Sequence, residues 1–214
     1  EETDRGSDRL LFTENDAKFN VAISTTTNEQ YIVLYSSSHT TTEVLYMNRD
    51  CCKGDDSAAL QFQMLIPRSD NVEYEVDYHN GYFYVLDNED GKRNFRLTRI
   101  HESQLGEESS SSTASSPSSL WNKDNSARKV ILEHDENRIL ESVTCYKSFI
   151  VVHARRDGLP KMLIMTYDEM EENCGVNGME PDIVQSISFP DASYSLGESD
   201  NEQFDTEFVR LYYS

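Results

Sequence analysis

One recurrence constrains this chain more than any other feature. Almost every apolar cluster is five to eight residues long, rich in Val, Ile, Tyr and Phe, and closed off by Asn, Asp, Gly, Ser or Pro. Such runs read as strands separated by turns, with no long helical period competing. The expected strands form three groups of four: 19–24, 31–36, 43–47 and 60–66; 72–78, 82–87, 94–100 and 128–133; 138–145, 149–155, 161–167 and 183–189. In the second group Asn80-Gly81 separates two strands and supplies the positive φ angles of a tight hairpin; Asp157-Gly158 does the same in the third. Each group is therefore an antiparallel four-strand meander. Their second strands start at Tyr31, Tyr82 and Phe149, with a fourth candidate at Phe208, giving spacings of 51, 67 and 59 residues.

Small four-stranded sheets repeated at this period bury their faces against one another as the blades of a propeller. The expected fold is all-β: a partial β-propeller of about three four-stranded antiparallel blades plus the start of another, with residues 1–214 forming part of one such domain. A two-sheet sandwich is the rival architecture. The Gly-His and Trp-Asp dipeptides of one propeller class and the Gly-Gly pairs of the kelch class are missing. The uneven spacing has a cause in a Ser-rich insertion at about 103–127, which cannot bury apolar surface and is expected to be a disordered loop between the third and fourth strands of the second unit. A smaller acidic loop is expected at 168–173, the matching place in the third unit, and Trp121 is expected to anchor the returning strand.

Composition narrows the function. A hydrophobic content of 37% with 10% aromatics supplies a core, while 19 Lys and Arg against 39 Asp and Glu give a net charge of −20. That charge repels polyanions, so nucleic acid and anionic membrane are excluded as partners. It would help collect basic peptides, or it is simply a solvated surface, since the acids are scattered. Apolar stretches are far shorter than the roughly 20 residues that span a bilayer. The start at Glu1-Glu2-Thr3-Asp4-Arg5 has no charged-then-apolar leader, so the chain is expected to be a fragment without a signal peptide.

The chemistry-bearing motifs are absent as well. No Gly-x-Ser-x-Gly elbow occurs, and the nine glycines stand apart, which removes nucleotide and phosphate loops. Catalytic, cofactor-binding and metal-binding residues are therefore assigned to none. Of His39, His79, His101, His134 and His153, only His153 lies inside an apolar strand, where it reads as a core or blade-interface histidine. His134-Asp135-Glu136-Asn137 has too few alternating oxygens and no glycine for a calcium loop and reads as a hairpin connection. Cys51, Cys52, Cys145 and Cys174 lack zinc-finger spacing; the vicinal pair is expected to be reduced and solvent-facing, in keeping with a cytoplasmic protein.

Several stretches follow one another in a telling order: Phe12-Thr13-Glu14-Asn15-Asp16-Ala17-Lys18-Phe19 with Ser37-Ser38-His39-Thr40-Thr41-Thr42-Glu43-Val44; Ile66-Pro67-Arg68; and Val72-Glu73-Tyr74-Glu75-Val76-Asp77-Tyr78-His79 with Asn94-Phe95-Arg96-Leu97. Arg156-Asp157-Gly158-Leu159-Pro160, and Phe204-Asp205-Thr206 with Leu211-Tyr212-Tyr213-Ser214, continue the order. Together they resemble the oligopeptidase B branch of the prolyl oligopeptidase family of serine peptidases. The resemblance implies a seven-bladed propeller covering a C-terminal α/β-hydrolase domain, which would be this chain's partner and would hold the Ser-Asp-His triad. It also implies short peptide substrates cut after Arg or Lys, through acidic residues that correspond to no particular position here, so substrate-binding residues stay unassigned. The Ser-rich stretch departs from the family pattern. Two functions follow: the non-catalytic, substrate-gating part of a serine oligopeptidase, inactive alone, or a stand-alone propeller-like interaction scaffold.

Overall fold

The computed structural model describes residues 9–53, 60–105, 128–173, 185–187, 189, 191, 193–199, 201 and 203–214. Three four-stranded sheets follow one another, each an antiparallel meander in strict chain order. The first holds β1 (Asn20–Thr25), β2 (Tyr31–Ser37), β3 (Thr42–Asn48) and β4 (Gln63–Ile66). The second holds β5 (Tyr74–His79), β6 (Tyr82–Asp87), β7 (Arg96–His101) and β8 (Arg128–Leu132); the third holds β9 (Arg138–Cys145), β10 (Phe149–Arg156), β11 (Leu159–Thr166) and β12 (Gln185–Ile187). A two-stranded sheet of β13 (Leu196–Glu198) and β14 (Leu211–Tyr213) begins a fourth unit, its second strand three residues beyond the expected Phe208.

The sheets stack face to face as blades. Tyr31, Val33, Val44 and Leu65 of the first blade pack against Tyr74, Val76, Tyr78, Phe83 and Val85 of the second. Tyr84, Leu86, Leu97 and Ile131 on the opposite face of the second blade meet Leu140, Val143, Ile150 and Val152 of the third. Val151 and Met162 then turn to Leu196, Val209 and Leu211. This explains why β6 is apolar at nearly every position rather than alternating: both of its faces are buried between neighbouring blades. The tyrosines in these cores keep their hydroxyls satisfied, Tyr31 and Tyr78 both donating to Glu102 at 2.8 and 2.7 Å.

The hairpins carry the expected turn chemistry. Asn80 and Gly81 have φ of 47° and 84°, and Asp157 and Gly158 have 52° and 79°, the mirror-image turn that matches strand twist. A side chain at position 81 would also meet His101 Nε2 at 2.9 Å. Two Asp-led turns, one ahead of β1 and one between β8 and β9, share a signature of their own. Asp16 accepts from the Lys18 amide through its side chain and from Phe19 through its carbonyl, both at 3.0 Å. Asp135 repeats this with Asn137 at 2.8 Å and Arg138 at 3.1 Å. The segment 134–137 is thus a blade-to-blade crossing and not a hairpin connection, because β8 and β9 lie in different sheets.

The acidic segment at 168–173 is a helix, α1 (Tyr167–Asn173), where a loop was expected. Thr166 and Glu169 form a reciprocal cap, the Thr166 amide donating to Glu169 Oε2 at 2.8 Å and the Glu169 amide to Thr166 Oγ1 at 3.3 Å. Met170 is fully buried against the second and third blades, and Glu171 pairs with Arg99 at 2.6 Å. Of the insertion expected at about 103–127, the first residues belong to a 3-10 turn, Glu102–Gln104, capped by His101. Its remainder, with Trp121, lies outside the described residues, as does Cys174.

The chain ahead of β1 is strapped to the first blade by one arginine. Arg68 reaches Glu14 Oε2 at 2.6 Å and Glu43 Oε2 at 3.1 Å, and its guanidinium covers the Phe19 ring at 4.0 Å. Bonds from Ser36, the Asp16 amide and Arg68 hold the Glu14 carboxyl down from its usual 4.5 to about 2. Because the folded value lies below the unfolded one, the ionised group stabilises the fold above pH 4.5, and that contribution disappears as pH falls toward 2. Arg68→Ala is expected to cost about 1 kcal/mol in denaturant unfolding at neutral pH, the modest figure of a partly exposed pair. It should also flatten the acid limb of stability over this window; an unchanged acid limb would contradict the strap.

Candidate functional site

Strand β5 separates its two kinds of residue by alternation. Tyr74, Val76 and Tyr78 face the first blade, while Glu75, Asp77 and His79 lie on the other side, toward the third. The first strands of neighbouring blades come close enough for side chains of one to bond the backbone of the next. The Val143 amide donates to Glu75 Oε1 at 3.1 Å and the Cys145 amide to Asp77 Oδ2 at 2.7 Å. Both amides lie on the free edge of β9, whose other edge pairs with β10. Two carboxylates spaced i, i+2 on β5 thus cap two amides spaced i, i+2 on β9, closing an edge that would otherwise be unpaired.

Asp77 does more than Glu75. It also accepts from the Thr27 amide at 2.9 Å, the Thr27 hydroxyl at 2.7 Å and its neighbour Tyr78's amide at 2.9 Å. With Cys145 that makes four donors from three consecutive blades around a side chain buried to 3% exposure. Burial pushes the Asp77 carboxyl above the ordinary carboxylate range, and the donors pull it back. Burial likewise raises Glu75, opposed by the Val143 amide and reinforced by Asp77. With its lone pairs occupied, Asp77 serves as a fixed clasp rather than as a base.

An open groove of about 500 Å³ runs alongside. Its lining is hydroxyl-rich, with Ser24, Thr25, Thr27, Tyr35 and Thr42 facing Glu75 and Asp77, and it reaches Val143 of the third blade. The third and fourth units are joined by a second polar link. His153 Nε2 lies 2.6 Å from Glu198 Oε1, and Glu198 Oε2 accepts from Tyr146 at 2.8 Å and Asn201 at 3.1 Å. Burial works against ionisation of Glu198, yet these partners outweigh it and hold its carboxyl below the usual range. His153 is therefore a blade-interface histidine.

The other histidines are not brought together. His79 stacks on Tyr167 at 4.3 Å between ring centroids, His101 caps a turn, His134 lies in a crossing and His39 on an exposed connection. Among the described residues no group of three or more His, Cys, Asp or Glu is placed to hold a metal ion. Cys51, Cys52 and Cys145 are free thiols, with Cys52 exposed and Cys145 buried. Among the same residues no helix is long and apolar enough to cross a membrane.

Over residues 2–214 the sequence matches the family described as prolyl oligopeptidase, N-terminal beta-propeller domain. The chain belongs to that family. It is similar to Protease 2 of Moraxella lacunata, 24% identical over 211 residues, covering 99% of this chain and 25% of that protein. It is also similar to dipeptidyl aminopeptidase BI of Pseudoxanthomonas mexicana, 21% identical over 212 residues, with coverage of 99% and 24%. Among solved structures, oligopeptidase B from Trypanosoma brucei superposes with a TM-score of 0.76 at 21% identity, covering 99% of this chain and 26% of that one. Oligopeptidase B from Leishmania major gives 0.75 at 20% identity, covering 98% and 26%. The chain spans about a quarter of the length of these relatives.

The clasp residues Thr27, Glu75 and Asp77 were not singled out from sequence. The available signal was the run Glu73-Tyr74-Glu75-Val76-Asp77-Tyr78, where one face of a buried strand carries carboxylates only. Asp77→Ala orphans four donors, three on the neighbouring blades and the Tyr78 amide, and is expected to cost about 3 kcal/mol in urea unfolding. The exposed Asp191→Ala should stay within about 0.5 kcal/mol. Equal effects from the two would show that the clasp carries no special weight.

Proposed function

We propose that this chain is the substrate-gating part of an oligopeptidase B-like serine peptidase. In this reading its blades form a wall that admits short peptides to a C-terminal α/β-hydrolase domain elsewhere in the parent polypeptide. The observation that carries the reading is the clasp beside the groove: Asp77 fixes three blades at the first strands, next to a hydroxyl- and carboxylate-lined groove open to solvent. A wall that filters by size must hold its blades at fixed spacing, and a buried carboxylate with donors from each blade supplies that rigidity. Apolar side chains left exposed at both ends, Val21 and Ile23 on β1 and Phe208 and Tyr212 near β14, suit contacts with further blades of a ring.

The net charge of −20 favours basic peptides, which fits cleavage after Arg or Lys. Free cysteines suit a cytoplasmic location. Reading the coding sequence past Ser214 tests the first part: a hydrolase domain with a Gly-x-Ser-x-Gly elbow followed by Asp and His is expected, and a stop codon or an unrelated domain would overturn it. The intact protein should cleave short peptides after Arg or Lys and spare a folded protein containing the same sequence. Loosening the wall with Asp77→Ala or Glu75→Gln should open the folded protein to attack. Unaltered size selection in both variants would remove the gating role.

A further inference from the structure

The vicinal thiols of Cys51 and Cys52 take no part in the clasp or in any blade core. They lie in the 3-10 turn Arg49–Lys53 that leaves β3, a turn with no buried residue, with Cys52 exposed and Cys51 half-buried. The turn is tethered at its base. The Arg49 amide donates to the Gln30 carbonyl at 2.9 Å, Arg49 pairs with Glu29, and the Asp50 amide donates to Asn48 Oδ1 at 2.8 Å. Lys53 closes back on Asp50 at 2.6 Å. Two free thiols on neighbouring residues thus sit on an anchored surface turn.

Two adjacent thiols have few uses, and geometry separates them. A direct disulfide suits this pair poorly: neighbouring Cα atoms across a trans peptide stand about 3.8 Å apart, short of the roughly 4.4–6.8 Å of a relaxed disulfide. A zinc site would need four ligands, and no third His, Cys, Asp or Glu gathers there among the described residues. A centre that needs only two sulfurs and holds them apart fits both limits. We propose that Cys51 and Cys52 form a chelating site for thiophilic trivalent metalloids, of which monosubstituted arsenic(III) is the representative. In the binding step two As–S bonds form, the As=O group is lost, and its oxygen leaves as water with the two thiol protons. Arsenic stays trivalent, so no oxidant or reductant is required. The second As–S bond is intramolecular, which raises affinity well above that of one thiol, and the tethered turn lowers the ordering cost.

Phenylarsine oxide is the probe, applied to the intact protein and read by mass spectrometry and competition. The wild type is expected to hold one equivalent that resists a monothiol such as glutathione and is released by a dithiol such as 2,3-dimercaptopropanol. Cys51→Ser and Cys52→Ser are each expected to weaken that binding by about 100-fold, while the surface substitutions leave the unfolding transition in place. A monothiol-resistant equivalent that survives in the double variant would overturn the proposal, as would a wild-type adduct that glutathione strips at the same concentration.

Discussion

The arrangement of the blades depends on one buried carboxylate. Apolar packing presses neighbouring blades together, but it is non-directional and would tolerate sliding of one sheet on the next. Asp77 removes that freedom, because its four donors come from a turn of the first blade, its own strand and the free edge of the third. Burying the charge is costly, and only full satisfaction by donors offsets the cost, so the group works at one relative placement of the blades. Glu75 repeats the idea two residues earlier with a single bond, and Glu198 repeats it between the third and fourth units with His153 and Tyr146. Carboxylates at successive blade junctions thus give a stack of sheets its fixed pitch.

Most of the blade architecture was legible from sequence. Strand positions followed from β-branched and aromatic runs, and the hairpins from Asn80-Gly81 and Asp157-Gly158, whose positive φ angles the structure reproduces. Composition and spacing disagree at a few places, and there spacing prevails. The segment after β11 is strongly acidic, which points to a loop, yet Thr166-x-x-Glu169 is a capping signature and Met170 supplies an apolar anchor. His134–Asn137 has the composition of a hairpin turn but joins two sheets, because sequence does not state which strands share a sheet. The clasp was hidden for a similar reason: Glu75 and Asp77 look like solvent-facing residues of an alternating strand, and only the approach of β9 turns them inward.

Family membership and geometry support each other at different scales. The match over residues 2–214 and the superpositions on oligopeptidase B structures account for the fold. They do not account for why this sequence places carboxylates where a propeller blade would more simply place Thr or Val. If the chain forms the gating wall proposed above, that placement has a purpose, since directional bonds resist shear better than apolar contact does.

Amide hydrogen exchange in the intact protein tests the clasp most directly. Thr27 lies in a turn and Cys145 on the free edge of β9, positions where amides ordinarily exchange quickly. If Asp77 ties the blades, both amides exchange as slowly as ladder amides of β10, and Asp77→Ala releases the two together while leaving β10 protected. Fast exchange at Thr27 and Cys145 in the wild type, or release of one without the other, would contradict the account.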